Sequence, residues 1–380
     1  MNEQAERRPP LPVRIRRARR SDRAAVMAFA SRTPDGWDYL PHAWPEWVDA
    51  PDGVLIVALP ARPSPGAPPE LAADGRPLDP DVPIAVSRFA LMSATEGWVE
   101  GIRVDPRVRG RAVATQLQIA ELAWAAAHDI HVVRYVTDDD NEASHRLGAR
   151  HGFRVVGRLR AYVAEDDDDD PPFESDEQDR RTLAAATARR QRALDELARL
   201  GLRVAPDAGD AVVDQLWDAI DRDPSFGQAN RMYESRPWTF QELTRDRFEA
   251  HLRRGDVVAE VGSDGGPLAV AILEHEAVTA DDPTIHLGVL AGRPEASIRL
   301  AGTIRRHVGA ALRVRLPDPD PPLVGGNAGA WRDAGFPPRS YVTHLLERRV
   351  AAGTPVPEPD APHLLEFEDR PARIAAPVEL

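Results

Sequence analysis

The sequence predicts a mixed α/β (α+β) fold built from two copies of one domain, each with a mostly antiparallel sheet flanked by helices. Short apolar runs of strand length alternate along the chain with longer segments whose apolar residues recur at helical spacing. The alternating segment 13–16, which precedes a helix, returns as segment 202–205. A helix leading to Gly152-Phe153 has a counterpart leading to Gly335-Phe336. Self-similarity of this kind indicates an internal duplication.

Each predicted element depends on apolar spacing and on the residues that bound it. In the first half the predicted strands cover residues 13–16, 54–59, 84–92, 98–104, 132–136 and 153–163, and the helices cover 23–31, 109–128 and 141–151. In the second half the predicted strands cover 257–261, 268–273 and 284–290, with a hairpin turn at 264–266 and a helix at 298–312. Residues 60–83 are rich in Pro, Gly and Ala and predict a loop or a hairpin excursion.

These elements divide the chain into four parts. Residues 13–164 form an N-terminal domain, 165–201 an acidic linker and a long helix, 202–350 a C-terminal domain, and 351–380 a Pro-rich tail. The acidic run 165–170 is interpreted as solvated, because consecutive aspartates point in different directions and repel one another. We therefore predict no metal site.

Composition excludes several classes of function. The 380 residues contain no Cys, which excludes disulfides, thiolate metal sites and cysteine nucleophiles. The formal net charge of −13 argues against nucleic-acid binding, since neutralising phosphates needs clustered cations. The sequence has neither an apolar run that could span a membrane nor an apolar secretory core near residue 1. We expect a cytoplasmic protein without membrane or nucleic-acid partners, and the sequence leaves a homodimer open.

The strongest chemical signal lies between the strand that ends at Val104 and the helix that follows it. Asp105 and Pro106 turn the chain, and residues 109–112 open the predicted helix. Backbone N–H groups at a helix start lack intrahelical acceptors, and the helix dipole adds partial positive charge there. Because Gly110 and Ala112 are small, an anion can approach the backbone closely. The segment therefore predicts a pyrophosphate-binding site.

In this context the chain resembles the GNAT acetyltransferase superfamily. Arg107, Gly110 and Ala112 match the family's pattern (R/Q)-x-x-G-x-(G/A), and a second motif begins at Asn141. The resemblance implies acetyl-CoA as co-substrate, with its pantetheine arm bound by the backbone of the preceding strand. The cofactor-binding residues that it implies are Ile102, Arg103, Val104, Arg107, Val108, Arg109, Gly110, Arg111, Ala112, Val113, Asn141 and Ser144.

The same resemblance assigns Glu100 as the general base. In the family a Glu on this strand takes the proton of the ammonium acceptor, commonly through water, and Glu100 occupies that place. The alternative is a strand carboxylate paired with an arginine. One departure concerns Gly148, which stands where many relatives carry the Tyr that protonates the leaving thiolate. The candidates to replace that Tyr are Tyr135, Tyr162 and Ser144.

The segment 36–47, after the first helix, is expected to line the acceptor pocket. It contains three Trp together with Asp38, Tyr39 and His42, which suits an aromatic wall with a carboxylate for an ammonium group. The alternative is that these aromatics pack a helix onto the sheet. The segment also resembles histidine N-acetyltransferases, which implies the α-amino group of a small amino acid such as histidine as acceptor. Asp38 and Tyr39 are the substrate-side residues carried over by this resemblance.

The second copy lacks an intact phosphate signature. The register Arg293-x-x-Ala296 ends in Ile298, and the register Arg299-x-x-Gly302 ends in Ile304. Both place Ile where a small residue is needed, so we predict a degenerate GNAT-like domain without an acetyl-CoA site.

The sequence therefore predicts an N-acetyltransferase that moves an acetyl group from acetyl-CoA to the primary amine of a small molecule. Two alternatives stay open. The first is a non-catalytic protein that senses acetyl-CoA, which the absence of Tyr at Gly148 favours. The second is a structural tandem protein, against which the intact signature at Arg107, Gly110 and Ala112 argues.

Overall fold

The computed structural model describes residues 8–30, 38–164, 176–274, 285–308, 312–318, 328–350 and 365–366. The chain divides into two compact units. Described residues within Met1–Tyr135, Ala143–Arg154 and Glu347–Glu379 belong to the first unit, and those within Val136–Glu142 and Val155–Leu346 to the second. The acidic run 165–170 and most of the tail 351–380 lie outside the described residues.

The helices and strands follow in this order: β1 (Val13–Arg17), α1 (Arg23–Ala30), α2 (Leu40–Trp47), β2 (Gly53–Pro60), β3 (Ala85–Leu91), β4 (Glu96–Val104), α3 (Val113–Ala127), β5 (Val132–Asp138), α4 (Glu142–Arg150), β6 (Arg154–Ala164), α5 (Asp176–Arg199), α6 (Asp210–Asp221), α7 (Pro224–Gln228), β7 (Met232–Arg236), β8 (Thr239–Glu242), α8 (Arg245–Arg254), β9 (Val257–Val261), β10 (Pro267–Leu273), β11 (Ile285–Gly292), α9 (Pro294–Val308), β12 (Leu312–Pro317), α10 (Ala328–Asp333), β13 (Thr343–Arg349) and β14 (Leu365–Glu366). The predicted mixed α/β fold is confirmed.

In the first unit, strands β1 to β4 form an antiparallel sheet in chain order. Strand β5 adds in parallel beside β4, after the chain has crossed over through α3. At the opposite edge, β14 pairs in parallel with β1. All eight residues of β2 are buried, as expected for a strand that is covered on both faces.

Helices cover the two faces of this sheet differently. Side chains of α1 and α2, among them Phe29, Leu40 and Trp44, form one apolar core with the β2 side chains. On the other face α3 packs on β3 and places a carboxyl group, Glu121, in the interior with no exposed surface. The Ser87 hydroxyl donates to that carboxyl at 2.5 Å. A buried acid on an otherwise apolar interface makes this face of the sheet sensitive to pH.

The second unit repeats the same sequence of connections. Strands β9, β10 and β11 are antiparallel neighbours, and β12 adds in parallel beside β11 after the chain has crossed over through α9. Strand β6 pairs antiparallel with the other side of β12. One cluster of buried apolar side chains includes residues of α5 and α9, and a second cluster includes residues of α6 and α8. The hairpin β7–β8, which the sequence did not predict, turns at Trp238, a residue with a positive φ of 59°.

Candidate active site in the first unit

Strand β4 carries a β-bulge at Gly101, in the middle of its length. The pairing register with β3 shifts between Val86 and Arg88, and Gly101 has a positive φ of 69°, a conformation that favours glycine. A Cβ on this glycine would lie 2.6 Å from the Trp47 ring, which packs directly on the backbone. The three residues after the bulge, Ile102, Arg103 and Val104, are half-buried.

Beyond the bulge, no strand in the described part of the chain pairs with the side of β4 that faces away from β3. The parallel pairing with β5 covers only Glu96 to Trp98, whereas β4 continues to Val104. The peptide groups of its second half that face away from β3 therefore lie outside any ladder. Such groups need other partners, and an extended polar ligand such as a pantetheine arm can supply them. The predicted pantetheine-binding residues Ile102, Arg103 and Val104 belong to this half of the strand.

The connection from β4 to α3, residues 105–112, is a loop lined by backbone amides. Gly110 and Ala112 have positive φ values of 77° and 58°, and alternating backbone conformations of this kind turn successive N–H groups toward one side. Within the described residues, the N–H groups of Gly110, Arg111 and Ala112 meet no hydrogen-bond acceptor. The first backbone hydrogen bond of α3 runs from Gln116 N–H to the Ala112 carbonyl at 3.1 Å. The loop therefore offers an anion several unpaired donors at a helix start.

The start of this helix corrects the sequence prediction. We predicted that the helix opens at Arg109, whereas α3 begins at Val113. The left-handed conformations of Gly110 and Ala112 exclude both residues from a right-handed helix. The small residues of the motif are therefore needed for their backbone conformation as well as for close approach.

The arginines of the loop have different environments. Arg107 lies on the Asp105 carboxylate, with Nη2 donating at 2.6 Å, and keeps an exposed side. Arg109 is exposed, and its Nε donates to the Val104 carbonyl at 3.4 Å. Arg111 is buried and donates to the carbonyls of Pro9 and Leu71. Arg107 and Arg109 can therefore reach an anion in solvent, whereas Arg111 fastens neighbouring segments to the loop.

Buried hydrophobic residues within the loop and at the start of α3 hold the loop in place. Val108 and Val113 are buried, with at most 2% of their surface exposed. The Asp105 carboxylate accepts from the Arg107 N–H at 2.9 Å and so caps the short 3-10 turn Pro106–Val108. These contacts hold the amide-lined loop in place.

Glu100 belongs to a buried ion-pair cluster. Its carboxylate contacts Nη1 of Arg88, whose Nη2 donates to Asp52 at 3.0 Å. The Arg88 guanidinium is almost fully buried and lies 5.1 Å from the centre of the Trp47 ring. Glu100 keeps 16% of its side chain exposed. The arginine pairing considered from the sequence is present, and the Glu100 side chain is not fully buried by it.

The predicted substrate-side residues form a second ion pair nearby. Arg103 donates to Asp38 through Nε at 2.6 Å and through Nη2 at 3.2 Å. Asp38 also accepts from the Leu40 N–H at 2.9 Å, and its side chain has no exposed surface. Tyr39 stacks edge-on against Trp47, and burial raises the pKa of its hydroxyl to about 12. Gly36 and Trp37, which belong to the predicted acceptor segment, lie outside the described residues.

The second predicted motif divides between the two units. Asn141 is exposed at the start of α4 and belongs to the second unit, whereas Ser144 and Gly148 belong to the first. At Gly148, a Cβ would lie 2.0 Å from the hydroxyl oxygen of Tyr135. That hydroxyl donates to the Ser144 carbonyl at 3.1 Å. A larger residue at position 148 is therefore incompatible with Tyr135 in its present position.

Sequence comparison identifies this part of the chain. Residues 66–153 match the profile of the family described as Acetyltransferase (GNAT) family. The match includes the bulged strand, the amide-lined loop and helices α3 and α4. Residues 66–153 form a GNAT domain. No curated protein matches the sequence.

One solved structure extends the similarity in fold beyond the GNAT domain. A GCN5-related N-acetyltransferase from Sphaerobacter thermophilus is 16% identical, with 89% of this chain and 96% of that chain covered and a TM-score of 0.51. A GCN5-related N-acetyltransferase from Kribbella flavida is 11% identical, with 90% of this chain and 72% of that chain covered and a TM-score of 0.40. At 16% identity, the similarity to the Sphaerobacter thermophilus protein shows a shared fold and nothing more.

Sequence reasoning did not find the partners of Glu100 in the GNAT domain. Arg88 lies directly opposite Glu100 in the β3–β4 pairing. The signal was present, since Arg88 interrupts an apolar strand and Glu100 follows in the next one across a short turn. Counting back from that turn would have placed the two side chains opposite each other on one face.

The connection between β11 and α9 in the second unit contains no loop equivalent to residues 105–112 of the GNAT domain. Only Arg293 separates the end of β11 at Gly292 from the start of α9 at Pro294. The Gly292 N–H already donates to the Asp223 carboxylate at 2.6 Å. All four motif-like positions, Ala296, Ile298, Gly302 and Ile304, lie inside α9. Their backbone groups are therefore not arranged as an open cradle.

The described residues contain no group of three or more His, Asp and Glu side chains that could hold a metal ion. No helix among the described residues is both long enough and apolar enough to cross a bilayer.

Proposed function

We propose that this protein is an acetyl-CoA-dependent N-acetyltransferase acting on the primary amine of a small molecule. The observation that carries the proposal is the amide-lined loop 105–112, which directly follows the half of β4 that pairs with β3 but not with β5 inside a GNAT domain. Acyl transfer from acetyl-CoA needs an anion cradle for the pyrophosphate and an extended contact for the pantetheine arm. The loop and the strand offer these two surfaces in the order that one extended ligand requires.

The loop suits a pyrophosphate in charge as well as in geometry. The N–H groups of Gly110, Arg111 and Ala112 supply donors, and the exposed sides of Arg107 and Arg109 supply positive charge. Charge-assisted hydrogen bonds of this type are the stronger ones in proteins. Asn141 and Ser144 are proposed as further cofactor contacts on the basis of the second motif.

In the proposed reaction, Glu100 takes the proton that the ammonium acceptor must lose, directly or through a water. The free amine then attacks the thioester carbonyl carbon, the C–N bond forms and the C–S bond breaks. Arg88 supports this role because it fixes the carboxylate while part of the Glu100 side chain stays exposed. Fixing a base in one orientation avoids reorganisation during the reaction.

Tyr39 and the exposed part of the Glu100 side chain are proposed to line the acceptor pocket. Asp38 acts through Arg103, because both of its oxygens are engaged and its side chain is fully buried. An α-amino acid such as histidine remains the first acceptor to test, on the strength of the resemblance of segment 36–47.

Tyr135 is proposed as the group that protonates the departing thiolate. Its hydroxyl fills the space beneath Gly148, and burial raises its pKa to about 12, so it keeps its proton at neutral pH. Tyr135→Phe is expected to lower kcat about 10²-fold with little change in KM for acetyl-CoA, since one proton transfer by a positioned side chain is removed.

Steady-state kinetics with acetyl-CoA and the best amine would measure this effect. Gly148→Ala is the matched structural test, because its new Cβ would clash with the Tyr135 hydroxyl and should lower the melting temperature. Tyr135→Phe/Gly148→Ala should recover part of that stability but none of the lost turnover. An unchanged kcat in Tyr135→Phe would contradict the assignment.

Calorimetric titration with acetyl-CoA tests the proposed function directly, and we expect one site per chain. Gly110→Ala should weaken binding about 10-fold, because alanine resists the positive φ on which the loop depends. Gly302→Ala is the matched control, since it makes the same change inside α9 and should leave binding unchanged. Two sites per chain would contradict the assignment of a single cradle, and absence of binding would exclude the transferase.

A non-catalytic acetyl-CoA sensor is the second candidate. It is favoured by the pairing of Glu100 with Arg88 and by the absence of a Tyr at Gly148. The sensor predicts acetyl-CoA binding without acetyl transfer to any of a panel of amines, amino acids and polyamines. Transfer to one of them, followed by mass spectrometry of the product, would exclude it.

A further inference from the structure

Beside strand β1 lies a pocket of about 460 Å³, lined by Arg14, Arg16, Arg19, Leu59, Arg62 and Asp81. It belongs to the first unit and shares no residue with the amide-lined loop or with the Glu100 cluster. Arg14 and Leu59 are direct cross-strand neighbours, which places them on one face of the sheet.

Two of these arginines form a fixed floor. Arg16 is nine-tenths buried, and its two terminal nitrogens donate to the Asp22 carboxylate at 2.7 and 2.9 Å. Burial raises the pKa of the Asp22 carboxyl, but the hydrogen bonds from Arg16 and from the Arg19 N–H, together with the positive charge of both arginines, hold it below its usual range. Arg14 donates through Nη2 to the Pro80 carbonyl at 2.9 Å. Both guanidinium groups are therefore held in place before any ligand arrives.

The other two arginines form an exposed rim. Arg62 and Asp81 each leave 65% of their side chains exposed, although Arg62 Nη2 donates to Asp81 at 2.7 Å. Arg19 is also exposed. An exposed pair of this kind contributes little stability and can exchange partners at low cost. An anion with two or more negative charges can therefore bind Arg62 in place of Asp81.

The pocket keeps a net positive charge, because its four arginines face only two carboxylates, Asp81 in the lining and Asp22 behind Arg16. Asp81 also lies 3.5 Å from Arg14 Nη2. Concave surfaces lined by one sign of charge concentrate counter-ions. Guanidinium groups bind phosphate in pairs of parallel hydrogen bonds and so favour it over a monovalent ion. The volume falls within the range of pockets for small organic ligands, so there is room for more than a bare ion.

We propose that this pocket binds a small phosphorylated compound through its phosphoryl group, at a site separate from that for acetyl-CoA. Arg14 and Arg16 form the preorganised floor, and Arg19 and Arg62 close on the dianion from the rim. The proposal is independent of the transferase reaction, because none of these residues belongs to the proposed acetyl-CoA or acceptor sites.

The test is calorimetric titration of the full chain with inorganic phosphate and with pyrophosphate, in a low-salt buffer free of phosphate. The rim variants Arg19→Gln and Arg62→Gln remove exposed side chains and should preserve the fold. We expect each to weaken binding about 10-fold, and wild-type affinity should fall as salt is added. Arg76→Gln is the matched control, since Arg76 is exposed in the same loop region and does not line the pocket.

Pyrophosphate can also bind the amide-lined loop, and Gly110→Ala separates the two sites. Binding that Gly110→Ala removes and the rim variants leave intact belongs to the loop and overturns the proposal. Absence of phosphate binding at millimolar concentration, or equal binding by wild type and both rim variants, also overturns it. Binding that is lost only in Arg19→Gln and Arg62→Gln supports it.

Discussion

Replacing Glu100 with Gln is expected to lower kcat by about 10²–10⁴-fold while leaving the affinity for acetyl-CoA unchanged. Gln keeps the size of the side chain and can still accept a hydrogen bond from Arg88, but it cannot take a proton from an ammonium group. The cofactor contacts proposed for residues 102–113 do not involve this side chain. Steady-state kinetics with the best amine acceptor and calorimetry with acetyl-CoA measure the two quantities separately.

Asp52→Asn is the informative comparison, because Asp52 is the second carboxylate bound to Arg88. Its loss should loosen Arg88 and reduce kcat less than Glu100→Gln does. If the two variants lose the same activity, the intact ion-pair cluster is what matters and Glu100 is not the base. A Glu100→Gln enzyme with wild-type kcat would contradict the mechanism outright.

The pH dependence of stability should change most when Glu121 is replaced with Gln. Complete burial raises the pKa of the Glu121 carboxyl from 4.5 to about 8, although the Ser87 hydroxyl lowers it somewhat. Between these two values the folded chain keeps a proton that the unfolded chain has released. The free energy of unfolding of the wild type therefore falls as pH rises, by about 1.4 kcal/mol per pH unit for this group.

That loss begins near pH 4.5, ends near pH 8 and totals at most about 5 kcal/mol. Glu121→Gln has no proton to release, so its stability relative to the wild type should rise by about 3–5 kcal/mol across this range. At pH 4.5 the variant should be slightly less stable, because its amide gains no second partner beside Ser87. Urea unfolding at a series of pH values measures the difference.

Glu295→Gln, on the exposed start of α9, is the control for removing one carboxyl group from the surface. Comparing the two variants isolates the effect of burial from that of net charge. A stability difference between Glu121→Gln and the wild type that stays constant from pH 4.5 to pH 8 would show that Glu121 is ionised in the folded chain.

The elements of the GNAT domain could be predicted because their signals are local. Apolar spacing located β3, β4 and α3 to within a few residues, and the motif from Arg107 to Ala112 identified the loop between the last two. The start of α3 could not be placed, because nothing in the sequence distinguishes an alanine with a positive φ from a helical one. Ala112 adopts its unusual conformation through the fold around it.

Side-chain partners were harder to predict because they depend on strand register. Asp38 was interpreted from its aromatic neighbours in sequence, and its actual partner, Arg103, lies 65 residues away in the chain. Gly148 looked like a missing catalytic residue, but this position in α4 also leaves room for the Tyr135 hydroxyl, which comes from strand β5. In both cases the local sequence pattern gave no information about the distant residue that packs against the position.

Because a single residue separates β11 from α9, substitutions alone could not create an anion-binding loop in the second unit. The first unit uses eight residues, 105–112, between the corresponding strand and helix, whereas the second uses Arg293 alone. Exchanging Ile298 or Ile304 for a small residue would alter a helix surface without creating free amides. An engineered second cradle would require inserted backbone, and its shortest workable length could be measured by grafting loops of increasing size between Gly292 and Pro294.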